Sequence, residues 1–211
     1  NFHADAHNKR YDFFMQVAKK YNANYIATAH HLNDNAETIL LNLIRGSNLY
    51  GYGGINITQK RNNITIVRPL MCVTKKEIKA YQEVNNLTYY EDSSNSEDEF
   101  RRNRIRHHIL PLLENENPNI LKELNNYSKM MHEAFSFIRN MSITYLNEHN
   151  NIIDVESFKI LDNALKKDII SLILEKKEIE RNYNLINLIL NNIMDKAPQN
   201  EITLHDGFIF K

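Results

Sequence analysis

The sequence predicts an α/β fold built on a parallel sheet, followed by a mainly helical part. Three observations carry the prediction. Residues 1–90 read in the order helix, strand, helix, strand, helix, which is the order of a parallel sheet crossed by helices. The two strand segments, Asn24-Tyr25-Ile26-Ala27-Thr28 and Ile64-Thr65-Ile66-Val67, are short, apolar and rich in β-branched or aromatic residues. After Asn117, apolar residues step by alternating fours and threes for seven or more turns. The change of character puts a boundary near residues 115–119 and divides the chain into 1–116 and 117–211.

Each element has its own warrant. Phe14, Val17, Ala18 and Tyr21 mark one face of a first helix that ends near Asn22. The run Asn24–Thr28 reads as a buried strand. Ala36, Ile39, Leu40, Leu43 and Ile44 recur at helical spacing just after it. Gly46 to Gly54 is a loop of glycine and tyrosine, either a mobile substrate-facing segment or a plain connection. Pro69 stops the strand that begins at Ile64. Thr74 and Glu77 form a capping-box pair that opens a helix through Val84. Tyr89 to Ser96 is a polar loop, and a helix follows from Asp98 or Glu99 to Leu113.

Asn117-Pro118 reads as a cap with proline at the first helical position. Ile120, Leu124, Tyr127, Met131, Ala134, Ile138, Met141 and Tyr145 then form a single apolar stripe. Asn150 and Asn151 end it. Ile152-Ile153-Asp154-Val155 reads as a short strand. Leu165 to Ile173 and Leu185 to Ile193 are two further helices. The end reads as a hairpin turning at Asp206-Gly207.

Composition limits the function. The 211 residues carry 26 Lys and Arg against 26 Asp and Glu, so net charge does not advertise nucleic acid, and any such signal must be local. Cys72 is the single cysteine, which rules out an intrachain disulfide and fits a reducing compartment. No apolar run approaches the roughly 20 residues of a membrane helix. No signal peptide is visible. A cytoplasmic protein without membrane contact is the expectation. The five glycines form neither of the common phosphate-cradling loops.

Chemistry concentrates at the first strand-to-helix junction, Ala29-His30-His31-Leu32-Asn33-Asp34-Asn35-Ala36-Glu37-Thr38. In open α/β sheets ligands bind outside the carboxyl ends of strands, where this junction lies. Asp34 and Glu37 share a helix face, with Thr38 one turn on. Acids also favour helix N-termini through the macrodipole, so residue type by itself leaves cation binding and simple capping both open. His30 and His31 match no common zinc spacing. A contact to substrate or nucleotide and a structural role are both open for them. The run Arg101-Arg102-Asn103-Arg104-Ile105-Arg106-His107-His108 can hold phosphates through forked hydrogen bonds, or be a solvated face paired with Glu97, Asp98 and Glu99. Arg10, Arg45 and Arg68, each at the end of an element, are further anion candidates.

Three ordered blocks resemble one family. His30 to Ser47 carries His-His-x-x-Asp-x-x-Glu-Thr-x-Leu-Leu-x-Leu-x-Arg-Gly-Ser. Arg68-Pro69-Leu70 is followed by Lys76-Glu77-Ile78 and Tyr81. Glu91 to Asn95 is followed by Arg102-Asn103-Arg104-Ile105-Arg106 and Leu110-Pro111. Together they resemble the tRNA(Ile)-lysidine synthetases over about residues 8–118.

The resemblance implies a PP-loop ATP-pyrophosphatase domain and a ligase that forms a C–N bond. ATP would adenylate C2 of the wobble cytidine in tRNA(Ile) with a CAU anticodon, and L-lysine would displace AMP, changing the codon read from AUG to AUA. Under the resemblance Asp34, Glu37 and Arg45 are catalytic. His30, His31, Thr38, Arg10 and Arg68 face substrate or nucleotide. Arg101, Arg102, Asn103, Arg104 and Arg106 meet tRNA, Asp34 is offered to Mg2+, and a homodimer is an expectation. The family usually has Asp-Asp where this chain has Asn33-Asp34. Its Ser-Gly-Gly-x-Asp-Ser nucleotide loop is not in this sequence, so the 211 residues read as a central piece expected not to turn over ATP unaided. Another PP-loop enzyme that modifies tRNA, such as a thiolase, would want paired cysteines. A non-catalytic RNA-binding module and a metal-dependent hydrolase are the rivals from other classes.

Overall fold

In a computed structural model the described residues are 2–90, 97–195, 202–203 and 209–210, with side chains from residue 9 to 90 and from 97 to 195. The first helix, α1, spans Phe2–Lys20. Asn22, with φ 51, turns the chain into β1, Tyr25–Ala27. Then come α2, Leu32–Arg45, and the short α3, Leu49–Tyr52. A hairpin follows, with β2 at Thr58–Arg61 and β3 at Ile64–Val67. Its two-residue turn begins at Asn62, with φ 55, a left-handed conformation that asparagine tolerates.

β1 and β3 pair in parallel, with Ile26 beside Ile66, and β2 pairs antiparallel to β3. The expected parallel pair is therefore present, and β2 is an antiparallel addition that sequence reading missed. Thr58-Gln59-Lys60-Arg61 has no apolar alternation to announce it. It lies at an edge of the sheet and buries little, so no period of two is imposed on it. β1 is less buried than its apolar look suggested: it forms the other edge, and Tyr25 is 66% exposed.

Thr74 caps α4, Lys75–Val84, through the reciprocal pair with Glu77 that the sequence predicts. The basic helix starts later than expected. Phe100 precedes α5, Arg101–Arg104, which continues through a π-helical stretch, Ile105–Ile109, into α6, Leu110–Glu116. Helix α7 is Ile120–Glu148, and Pro118 stands in the turn before it. Asn150 and Asn151, with φ 53 and 61, end α7 as predicted. The strand expected at 152–155 is absent. Asp154 accepts from the Ser157 N–H and caps α8, Val155–Lys159, so a local capping bond overrides a short β-branched run. Helices α9, Asn163–Lys176, and α10, Tyr183–Met194, follow. β4, Ile202–Thr203, pairs antiparallel with β5, Ile209–Phe210. Asp206-Gly207, the expected turn, and residues 91–96 of the expected polar loop lie outside the described residues. No described helix is long and apolar enough to cross a membrane.

The chain divides into two compact units, residues 1–132 and 133–211. In the first, a buried cluster of Leu32, Ala36, Ile105, Leu110 and Leu121 binds α2 to the basic helix. In the second, Leu146, Phe158, Ile169, Ile170 and Ile189 form the centre of a separate core.

Candidate active site

The site grows from the end of β1. The chain leaves the sheet at Thr28, whose hydroxyl lies 2.8 Å from His30 Nδ1. His31 caps α2. Its Nδ1 accepts from the Asp34 N–H at 3.4 Å, and its own N–H donates to Asp34 Oδ2 at 3.0 Å. An accepting Nδ1 requires the neutral ring. Burial, the largest cause, pushes the pKa of both His30 and His31 below the usual histidine value, and the opposing pull of Asp34 does not reverse it. Asn33 turns aside: its Oδ1 accepts from the Lys75 N–H at 2.9 Å and ties the start of α4 to the start of α2.

Glu37 is fully buried, and two arginines neutralise it. Arg102 Nε donates to Oε2 at 2.5 Å. Arg106 donates from Nε to Oε1 at 2.6 Å and from Nη2 to Oε2 at 3.0 Å. Arg102 Nη2 also reaches Asp34 Oδ1 at 3.0 Å. One turn of helix separates the arginines, so both guanidinium groups meet one carboxylate. Hydrogen bonding to Glu37 pushes Arg106 further into its charged form. We call this Asp34–Glu37–Arg102–Arg106 group the latch.

The other arginines part company. Arg104 donates to the carbonyls of Asp98 and Glu99, at 2.8 and 2.7 Å, and is exposed with Arg101. Asn103 is buried and donates to the Glu97 carbonyl. His107 and His108 lie 2.8 and 2.5 Å from the two oxygens of Asp98. The turn at 97–100 is thus folded onto the basic helix by three of its residues. Arg68 is buried and donates to the Asn56 carbonyl at 2.6 Å and to Gln59 at 3.3 Å, so it holds the hairpin. Arg45 is exposed at the other end of α2, eleven residues or about 16 Å of helix from Asp34. Thr38 donates to the Asp34 carbonyl.

Arg10 lies on an open cleft of about 470 Å³ with Tyr11, Phe14, Ala27, Thr28, Ala29, His30 and Asp34. Pockets for small ligands commonly hold about 300–1,000 Å³. The structure therefore brings Arg10, His30 and Asp34 to one cleft and joins Asp34 to Glu37, Arg102 and Arg106 behind it. It does not bring Arg45 or Arg68 there. Both oxygens of Asp34 and both of Glu37 are engaged by protein donors. No group of three His, Cys, Asp or Glu among the described residues could hold a metal.

Sequence reasoning missed Asn35 and the docking of the glycine loop. Asn35 is buried, and its Oδ1 accepts from the Ile55 N–H at 2.8 Å. Asn42 donates to the Gly51 carbonyl and Ser128 to the Gly53 carbonyl. A Cβ on Gly53 would stand 2.7 Å from the His132 ring. The loop is therefore a packed connection. Asparagines on a core-facing helix stripe were the available signal.

Acid is expected to weaken the fold. His30, His31 and His132 have folded-state pKa values lowered, in each case chiefly by burial. Their unfolded value is about 6.5. Between the two values the unfolded chain binds more protons, so stability is full above about pH 6.5 and is lost as pH falls below it. The melting temperature should drop on acidification from about pH 7.5 to 5.5. A flat profile would count against these burials.

A family model described as the PP-loop domain matches residues 1–113. The chain is similar to the tRNA(Ile)-lysidine synthase of Aster yellows witches'-broom phytoplasma, 34% identical over 207 residues, which is 95% of this chain and 47% of that protein. It is 36% identical to the enzyme of the same name from Geobacillus kaustophilus over 171 residues, 78% of this chain and 37% of that one. With the Bacillus cereus protein it shares 33% over 198 residues, 93% of this chain and 40% of the other. The chain thus spans less than half the length of the curated relatives it matches.

Proposed function

Because the chain belongs to the PP-loop domain family, we propose that it forms part of a tRNA(Ile)-lysidine synthase that joins L-lysine to the wobble cytidine of tRNA(Ile) in the cytoplasm. The observation that carries the reading is the latch. A buried carboxylate with two arginines stands behind an open cleft at the carboxyl end of a strand, where this fold binds ligands.

The cleft fits part of a nucleotide site. ATP would supply the leaving group that makes the cytidine C2 position reactive. Arg10 would hold phosphate and the neutral His30 would contact substrate or nucleotide by hydrogen bonding. Asp34, with its partners fixed by His31 and Arg102, would orient the lysine ammonium. Glu37 would hold Arg102 and Arg106 in place, so that positive charge near the site needs no reorganisation when negative charge develops. Arg101 and Arg104 would meet the tRNA backbone, and Arg45 a phosphate at the far end of α2. Arg68 and Asn103 would position the hairpin and the 97–100 turn. We place the functional division at 1–116 and 117–211, next to the end of the family match. Asp34, which lines the cleft, would be the carboxylate offered to a Mg2+ ion carried by the nucleotide phosphates.

Binding tests the reading. The 211-residue chain should bind a tRNA(Ile) transcript with a CAU anticodon more tightly than the same transcript with GAU, and binding should weaken as salt rises. Equal affinity for both anticodons would contradict it.

A further inference from the structure

Thr28 and His30 line the same cleft, and the Thr28 hydroxyl lies 2.8 Å from His30 Nδ1. Either atom can donate in such a pair, depending on the ring tautomer. The hydroxyl decides between them. Thr28 is half-buried and its hydroxyl has no second partner among the described residues. A hydroxyl that accepted from the ring would therefore leave its own proton unpaired. Donation to Nδ1 uses that proton and leaves the proton of the neutral ring on Nε2. His30 Nε2 has no partner among the described residues and is not a buried atom, so it is the open end of the ring. The surroundings are positive. Arg10 lies on the cleft, and buried Arg68 donates to the hydroxyl of Tyr11, another residue of the cleft, at 3.4 Å. Among the described residues Arg68 meets only the neutral oxygens of Asn56, Tyr11 and Gln59, so no carboxylate cancels its charge. Asp34, the acid on this cleft, is already paired with Arg102. Burial is the largest cause that keeps His30 uncharged; Asp34 opposes it, and Arg68, Arg102 and His31 reinforce it.

We propose that Thr28 is a positioning residue: it fixes the ring proton of His30 on Nε2, so that His30 donates to an anionic oxygen of the ligand, the class that a nucleotide phosphate supplies. An unprotonated Nε2 would instead suit an ammonium or an amino group. The proposal rests on the nucleotide reading of the cleft above and assigns the hydrogen-bond polarity of one of its walls.

The test uses the 211-residue chain, isotopically labelled at the histidine nitrogens, with inorganic diphosphate as the probe. Long-range proton–nitrogen correlation spectra at about pH 7.5, assigned with His30→Gln, should show Nε2 protonated and Nδ1 bare. Thr28→Val keeps a similar shape and removes the hydroxyl. It should mix the two tautomers and raise the His30 pKa by roughly half to one pH unit, because the lost bond favours the neutral ring. Thr28→Ser should restore both. A threonine that only fills space would leave the tautomer and titration of His30 unchanged in Thr28→Val. Diphosphate should move the Nε2 signal of the unsubstituted chain, and should bind roughly three- to tenfold more weakly to Thr28→Val. A proton on Nδ1, or a Thr28→Val spectrum and titration like those of the unsubstituted chain, overturns the proposal and leaves the nucleotide reading standing. A protonated Nε2 that diphosphate does not move overturns the ligand assignment and the nucleotide reading together.

Discussion

Glu37→Ala should destabilise the first unit by about 3–5 kcal/mol, the cost of breaking a buried ion pair by removing one partner. The loss is large because one carboxylate serves two arginines. Glu37 is fully buried, whereas Arg102 and Arg106 keep 38% and 24% of their side chains exposed. Removing the acid leaves two neighbouring, partly exposed guanidinium groups without the carboxylate they share. It also loosens the basic helix from α2, leaving the Arg102–Asp34 pair and the apolar cluster to join them. Glu37→Gln keeps the shape and one acceptor, and should lose less. Denaturant unfolding followed at the first unit measures both. A loss below about 1 kcal/mol for Glu37→Ala would mean that the latch is an ordinary surface pair.

Gly54→Ala should cost about 2–5 kcal/mol through a different cause. Gly54 has φ +72, and an added Cβ would stand 2.4 Å from Asn35 Oδ1 and 2.7 Å from Ile39 Cγ1. Left-handed backbone costs an L-residue about 1–2 kcal/mol, and overpacking adds about 1–3 kcal/mol. Neither neighbour can yield readily, since Asn35 and Ile39 are both buried in α2. Ile55 would lose its bond to Asn35 in any shift that relieved the clash. Gly46→Ala is the control: its φ is +78, but nothing lies within 4 Å of the added carbon, so it carries the backbone cost by itself. Thermal unfolding of the two variants separates the clash from the strain. Equal losses would show that the loop is not docked as described.

Much of the fold could be read from residues with a single local cause. Thr74 and Glu77 announce α4 because a capping box needs only residues three apart. Asn150 and Asn151 announce the end of α7 because asparagine tolerates positive φ. The elements that escaped reading depend on tertiary partners. Thr58–Arg61 becomes a strand because β3 offers it an edge. Ile152 to Val155 fails to become one because Asp154 captures the Ser157 N–H.

The candidate site divides in the same way. The His30–Thr38 junction and the Arg101–Arg106 run both stand out by composition, and three ordered motif blocks link them to one family. That Glu37 faces both Arg102 and Arg106 across 65 and 69 residues could not be read, because no local pattern records which basic residue meets which acid. The same limit hid the burial of Arg68, which looks like an anion site at the end of a strand and instead secures the hairpin.

We propose that this chain belongs to an enzyme that places lysine on a wobble cytidine. Nucleoside mass spectrometry of tRNA(Ile) with a CAU anticodon, after incubation with the complete gene product, ATP and L-lysine, tests it most directly. The account predicts lysidine at the wobble position, formed only when ATP and lysine are both present, and its near-absence in the Arg102→Met variant. Unmodified cytidine with the unsubstituted protein, or modification that proceeds without lysine, would contradict it.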